Sequence, residues 1–344
     1  MAPLLRKVAT FSFVSLLHLI FIIPSARLLF KSLFQSHGYI FIFLLSLIAV
    51  VLLLIDRLEN EPKEKLLLDC FALVLFFLFS RQISLAFMLL LGGFWLGKRV
   101  CPKILFFTLF STIPFLHLAP YKRFEFLTMD ANYTAYFFYL ISMPLFFKLL
   151  TSEYKQKNKT IFIPLIVLSN LLSASRGVLV SLIVTACIKF KKKITLRDQL
   201  NLKNILLISI MIFLTSIFVG KHWTDSVDER VYIYSEVFHG RVLGLENGNF
   251  NDVHVNPECM RSHNCSMDHG SNRPFGFVSL HNTLLTWFSL YPLIFFFFYG
   301  YLYWRFGQNF ALLSIPTVFL SVGPGPFYLY LGLSIGSAAF KIGK

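Results

Sequence analysis

Apolar residues run along this chain in long blocks, with polar residues gathered at the breaks. Stretches able to carry a helix across about 30 Å of hydrocarbon fall near 8–29, 38–55, 66–80, 82–97, 104–119, 131–150, 161–175, 177–190, 205–220, 283–304, 309–322 and 325–340. The pattern predicts an all-α, polytopic integral membrane protein of about 12 transmembrane helices. The whole of 1–344 reads as a single membrane domain. Residues 221–281 are too polar to span and form its one long loop.

The charges orient the helices. With the N-terminus and its Arg6 and Lys7 in the cytoplasm, the cytoplasmic breaks hold Arg57, Lys63 and Lys65; Lys98, Arg99 and Lys103; Lys155, Lys157 and Lys159; and the run "KFKKKITLRDQLNLK". Arg305, Lys341 and Lys344 fall on the same side. This follows the rule that cytoplasmic loops collect Lys and Arg. Both termini are then expected inside, and loop 221–281 outside. The opening "RKVATFSFVSLLHLIFIIPSA" also has the layout of a cleavable signal, which leaves the remaining topology unchanged.

Composition agrees. Of 344 residues 56% are hydrophobic and 14% charged, and 41 are Phe; mean hydropathy is +0.67. A net charge of +15 is what basic cytoplasmic loops produce, so no nucleic-acid partner is expected and membrane lipids are. Cys70, Cys101 and Cys187 lie in or beside apolar helices and read as packing residues.

Polar residues on the outer face are the informative ones. Arg176 stands between two apolar runs in "LLSASRGVLVSLIV", and a cation at mid-membrane is costly. Lys122 and Arg123 precede a span that opens with Asp130 and Asn132. Loop 221–281 carries Arg230 and Arg241, and His281 and Asn282 lead into the next span. Arginine grips phosphate through two oxygens at once. Histidine grips it when charged or moves a proton when neutral. A cationic cluster at the outer leaflet suits a lipid diphosphate. Each residue also has a plainer reading: interfacial arginines snorkel to headgroups, Asn132 caps a helix, and "GLENGNF" is a turn.

Taken in order, these pieces resemble the O-antigen ligase and O-antigen polymerase superfamily of bacterial inner-membrane transferases, of the class C glycosyltransferase type. "MDANYTAYFFYLISMPLFFKLL" is similar to that family's Asn-x-x-Ala helix, through Asn132, Ala135 and Pro144. "LSASRGVLVSLIV" resembles its Ser-Arg-Gly turn through Ser175, Arg176 and Gly177. "ERVYIYSEVFHGRVLGLENGNF" resembles the start of its periplasmic loop at Arg230, Tyr234, Gly244 and Phe250, and "LHNTLLTWF" matches at His281 and Asn282. The likeness covers about 120–305. It departs at Pro292, where the family often has glycine.

The resemblance implies transfer of a glycan from an undecaprenyl-diphosphate-linked donor to an acceptor sugar or to lipid A–core, at the periplasmic face of the inner membrane. It implies inversion and no cofactor. The sequence has no Asp-x-Asp or carboxylate pair at an outer helix end, which agrees with a metal-independent reaction. Arg176 and Arg230 would hold the diphosphate, and His281 would either hold the same group or take the acceptor's proton. Arg123, Asn132, Arg241 and Asn282 are expected to contact substrate. Glu229 and Glu236 are further bases or solvated surface. The short chain and divergent loop suit a repeat-specific polymerase rather than a ligase. A transporter or flippase is the alternative; the polar features gather on one face, and no two related halves are visible.

Within the loop, "HVNPECMRSHNCSMDHG" sets Cys259 and Cys265 in an oxidising compartment, where a local disulfide is the first reading. A structural zinc site from His254, Cys259, His263, Cys265 and His269 is the second.

Overall fold

The computed structural model describes residues 63–79, 81–110, 131–150, 156–172, 176–190, 242–245, 252–255, 277–279, 292–318 and 326–340, with scattered positions in 4–18 and residue 284. The helices are α1 (Lys63–Phe79), α2 (Arg81–Gly97), α3 (Pro102–Phe107), α4 (Ala131–Leu150), α5 (Gln156–Leu172), α6 (Arg176–Phe190), α7 (Pro292–Phe306), α8 (Gln308–Ser314) and α9 (Pro326–Ala338). A 3-10 turn, Ile315–Val318, follows α8. The helices fall on the stretches that the apolar pattern predicts. Among the described residues no single helix is long and apolar enough to cross a membrane. Ile83–Gly97 and Pro102–Phe110 meet the requirement only as a pair, bent by 112°. The described part of the expected 104–119 span thus turns across the end of α2, and its remainder lies outside the described residues.

The chain divides into two compact units, each described by itself. The first holds α1 to α5, residues 306–313 and α9. At its centre α2 and α9 touch backbone to backbone. A Cβ at Gly93 would stand 2.0 Å from the Leu329 carbonyl oxygen, and one at Gly97 would stand 2.1 Å from that of Leu333. From the other side, a Cβ at Gly332 or Gly336 would lie 2.0 Å from the carbonyl oxygen of Leu90 or Phe94. Two Gly-x-x-x-Gly pairs thus face one another, the arrangement that lets helices approach closely where no hydrophobic effect drives them together. Rising numbers in α2 meet rising numbers in α9, so the two helices run parallel.

Helix α4 lies along α9 in the same direction. Tyr136 packs on Phe327 at 4.7 Å between ring centroids and Phe137 on Tyr330 at 4.9 Å. One turn on, the Ser334 hydroxyl donates to the Leu140 carbonyl at 2.7 Å. That bond has a local cause. Pro144 lies inside α4 and has no N–H, so the carbonyl four residues back loses its helical donor. Ser334 supplies the replacement. Pro316 creates the same need after α8, where the carbonyls of Leu312 and Leu313 lose the donor a continuing helix would offer. The buried hydroxyls of Tyr139 and Tyr136 reach them at 2.8 and 2.9 Å.

The flanking helices run the other way. Phe76 of α1 meets Phe87 of α2 at 5.3 Å across a short hairpin. In α5, Asn170 donates to the Ser142 hydroxyl of α4 at 3.0 Å and to the Ile166 carbonyl at 2.8 Å. One end of this unit therefore collects the ends of α2, α4 and α9 with the starts of α1, α3 and α5. Lys63, Lys65, Lys98, Arg99, Lys103, Lys148, Lys157 and Lys159 all lie there, with Glu64 among them. The outward faces are apolar: in α1, Phe71 and Leu78 are 66% and 75% exposed.

The second unit runs through Leu179–Arg305 and Ser314–Gly323. In α7, Leu293, Phe296 and Phe297 face outward. The loop departs from the all-α expectation. It carries an antiparallel sheet of β1 (Val242–Leu245), β2 (Asp252–Val255) and β3 (Phe277–Ser279), in the order β1-β2-β3. Val242 pairs with Val255 and Gly244 with His254, while Asp252 pairs with Ser279 and His254 with Phe277.

Candidate functional site

Arg176 is the first residue of α6, with three residues between it and the end of α5. Gly177 is half-buried, and Val178 and Leu179 behind it are buried. A helix N-terminus presents unpaired N–H groups and the positive end of the helix dipole. Arginine is disfavoured there by its own charge, and the pairing of the two cations suits an anion. Ser175, in the tight connection expected between the two helices, lies outside the described residues.

Asn132 is the second residue of α4, and Ala135, one turn on, is fully buried. The end of α5 stands well along α4 from that start. Asn170 is bonded to Ser142, so the end of α5 stands against the middle of α4. Ser142 is ten residues along from Asn132, about 15 Å at 1.5 Å per residue. The end of α5 that leads to Arg176 is thus recessed along α4 rather than level with Asn132.

Of the other expected site residues, Arg123, Arg230, Arg241, His281 and Asn282 lie outside the described residues, as do Glu229, Glu236, Cys259, His263, Cys265 and His269. The sheet bears on the chain around them. It joins the strand that follows Arg241 to the strand that ends two residues before His281, through β2 between them. Because β1 and β3 both pair antiparallel with β2, the start of β1 and the end of β3 lie at opposite ends of the sheet. His254 sits within β2, paired on both sides. Among the described residues no group of three or more His, Cys, Asp or Glu is placed to hold a metal ion.

Two expectations about the cysteines change. Cys70 and Cys187 are exposed on α1 and α6, and Cys101 is half-buried. Cys70 and Cys187 face outward with the apolar surface of their helices instead of packing inside. Pro292 opens α7, the helix position where a missing N–H matters least.

The structure also shows buried polar groups that the sequence reading passed over. His18 is fully buried. Its Nε2 lies 2.8 Å from the Thr108 hydroxyl and its Nδ1 3.2 Å from that of Tyr330. The Thr108 hydroxyl donates to the Leu105 carbonyl at 2.5 Å, so its oxygen accepts from Nε2–H. Nδ1 then accepts from Tyr330. This assigns the proton to Nε2 and makes a one-way chain that ends on a backbone carbonyl. Phe137 packs edge-on to the imidazole at 5.0 Å. Asp69 in α1 is 3% exposed, a carboxyl held inside a helix whose outer face is apolar. The usable signal was one ionisable residue inside each apolar run, such as "KLLLDCFALV", since such residues are placed against cost.

Comparison of the chain with protein-family models, with curated proteins and with solved structures returns no match.

Proposed function

We propose that this chain is an inner-membrane glycosyltransferase of the O-antigen polymerase or ligase type, moving an oligosaccharide from undecaprenyl diphosphate to an acceptor sugar on the periplasmic side. The observation that carries the reading is Arg176 as the first residue of α6, with three residues left between it and the end of α5. An arginine at a helix N-terminus brings two positive charges to one place and favours a diphosphate. The ordered likeness over about 120–305 supports the same assignment. The parallel course of α2, α4 and α9 supports the twelve-span topology, since all three stretches run from outside to inside in that scheme. The apolar outer faces of α1 and α7 and the basic end of the first unit support a membrane setting.

The chemistry follows from where charge develops. As the anomeric C–O bond breaks, negative charge builds on the departing phosphate oxygen. Cations fixed in advance stabilise that charge more than they stabilise the bound donor, which is what lowers the barrier. Arg176 and Arg230 carry this role. His281 takes the acceptor's proton or holds the diphosphate. With no covalent intermediate, attack from the opposite face inverts the anomeric centre.

The test is a deletion strain whose lipopolysaccharide is run on a gel while lipid-linked glycans are extracted in parallel. Core bearing one repeat unit identifies a polymerase. Bare core, with polymer left on the lipid carrier, identifies a ligase. Complementation with Arg176→Ala or His281→Ala should fail while the protein stays at its normal level in the membrane. Loss of one preorganised charge-stabilising donor typically lowers kcat by about 10²–10³. Full product from both stable variants rejects the assignment.

A further inference from the structure

We propose that the opening segment "RKVATFSFVSLLHLIFIIPSA", residues 6–26, is a signal anchor that stays in the folded chain, keyed into the first unit by His18, and not a leader cut off after Ala26. This rests on the membrane reading and not on the transfer reaction.

The sequence leaves both fates open. Basic residues, an apolar stretch and a small-residue end are shared by a cleavable signal and a first span. His18 separates them. A signal needs only an apolar core of about 7–15 residues, and an imidazole within that core weakens it, since a polar side chain enters a membrane against cost. In a helix that remains, the cost is offset once both ring nitrogens find partners in the folded chain.

Both nitrogens have them. The described positions between 4 and 18 are helical. Leu4 and Val8 are exposed, whereas Val14 and His18 are fully buried, so the segment runs from an exposed start into the first unit. At His18 it meets three elements at once. The ring accepts from the Tyr330 hydroxyl of α9 at 3.2 Å and donates to the hydroxyl of Thr108, just after α3, at 2.8 Å. Phe137 of α4 closes on it edge-on, with ring centroids 5.0 Å apart. Thr108 and Tyr330 are 90 and 312 positions further along the chain. The place that His18 fills therefore forms only after the segment has been inserted and nearly all of the rest has been made, when a leader's task is over. Cutting after Ala26 would take the ring out again. It would leave a gap among Phe137, Thr108 and Tyr330, and the bonds that the two hydroxyls make to the ring would be lost where no bulk water replaces them. The histidine is thus placed for the finished fold and not for export.

The full chain, tagged at its C-terminus, is purified from membranes in detergent and digested, and its peptides are read by mass spectrometry. A peptide continuous across Ala26 and Arg27 is expected. A chain that begins at Arg27, or anywhere between His18 and Arg27, overturns the proposal and leaves the transfer reaction untouched. The part played by His18 is read separately, by unfolding in mixed micelles with rising SDS. His18→Ala should shift the midpoint roughly twice as far in the wild type as in a Thr108→Val, Tyr330→Phe background, where the ring has no hydroxyl partners left to lose. Circular dichroism and monodispersity confirm that the background variant is folded. Equal shifts overturn the keying by His18, even where the segment is retained. A chain that keeps residues 6–26 yet is stripped from native membranes by alkaline carbonate overturns the membrane reading, and the anchor with it.

Discussion

Gly92→Ala and Gly93→Ala are neighbouring substitutions with identical chemistry, and they should move stability in opposite directions. At Gly92 a new Cβ meets nothing within 4 Å. Alanine there gains up to about 1 kcal/mol of helix propensity over glycine. At Gly93 the same atom stands 2.0 Å from the Leu329 carbonyl oxygen and 2.8 Å from the Leu333 nitrogen. Both obstacles are backbone, so no rotamer change relieves them. An ordinary contact begins near 3.4 Å, and α2 must withdraw from α9 locally by roughly 1 Å. A gap of that size removes a quarter to a half of the dispersion energy of each atom pair across the seam. For about 30 pairs at ~0.15 kcal/mol each, the loss is about 2 kcal/mol, within the 1–3 kcal/mol seen for overpacked cores. Set against its own propensity gain, Gly93→Ala should therefore lie about 1 kcal/mol below the wild type, and Gly92→Ala at or above it. Unfolding in mixed micelles with rising SDS, followed by tryptophan fluorescence, measures both. Matching midpoints for the two variants would refute the close contact of α2 and α9.

The other expectations concern the buried polar groups and the loop. Ser334→Ala leaves the Leu140 carbonyl without a donor and should cost about 1–2 kcal/mol. Pro144→Ala restores the helical N–H, so the double variant should lose less than the two single changes added together, and strict additivity in a double-mutant cycle rejects the link. His18→Ala removes the bonds that the Tyr330 and Thr108 hydroxyls make to the ring and leaves a buried cavity, with an expected loss of about 2–4 kcal/mol in the same titration; a loss below ~0.5 kcal/mol would mean that the chain is not formed. Asn170→Ala should cost about 1 kcal/mol, near the usual value for a hydrogen bond between membrane helices, and a neutral result would remove the bond that recesses the end of α5. Cys259 and Cys265 should resist alkylation in protein taken from membranes until a reductant is added, as counted by mass. Labelling of both without reductant, with a chelator making no difference, rejects the disulfide and the zinc reading alike.

Most helices were legible because a single physical variable writes them. Runs of Leu, Phe and Ile without charge can only be helices if they enter a bilayer, where every backbone group must be satisfied within its own segment. The 131–150 prediction matches α4, and 161–175 and 177–190 fall on α5 and α6 within a few residues. The bend between α2 and α3 was not legible in the same way. Residues 104–119 are mostly apolar, and hydropathy has no direction, so nothing in the run separates a crossing helix from one turned by 112°. Pro102, at the start of α3, was the local signal. The sheet in the loop was missed for a different reason. Its strands are three or four residues long, below the length at which alternation stands out from noise.

Polar residues divide along another line. Sequence weighting favoured those at the ends of spans, where a ligand can reach them, and Arg176 was found that way. Those in the middle of spans received no weight, yet the structure ties them into the folding scheme. Pro144 and Ser334 are 190 positions apart, and neither has an evident purpose alone. One removes a donor from α4 and the other supplies it from α9. The same bond sets the relative height of the two helices, and the glycine seam sets α9 against α2. Asn170 then sets where α5 stops beside α4, and α6 starts with Arg176 from that stop. The end of α5, from which the chain leads on to the proposed diphosphate-binding arginine, is thus positioned by buried hydrogen bonds that touch no ligand. A change at Ser142 or Asn170 should accordingly shift the position of Arg176 as well as lower stability, and its effect on product should exceed that of an equally destabilising change on the outer face of α1.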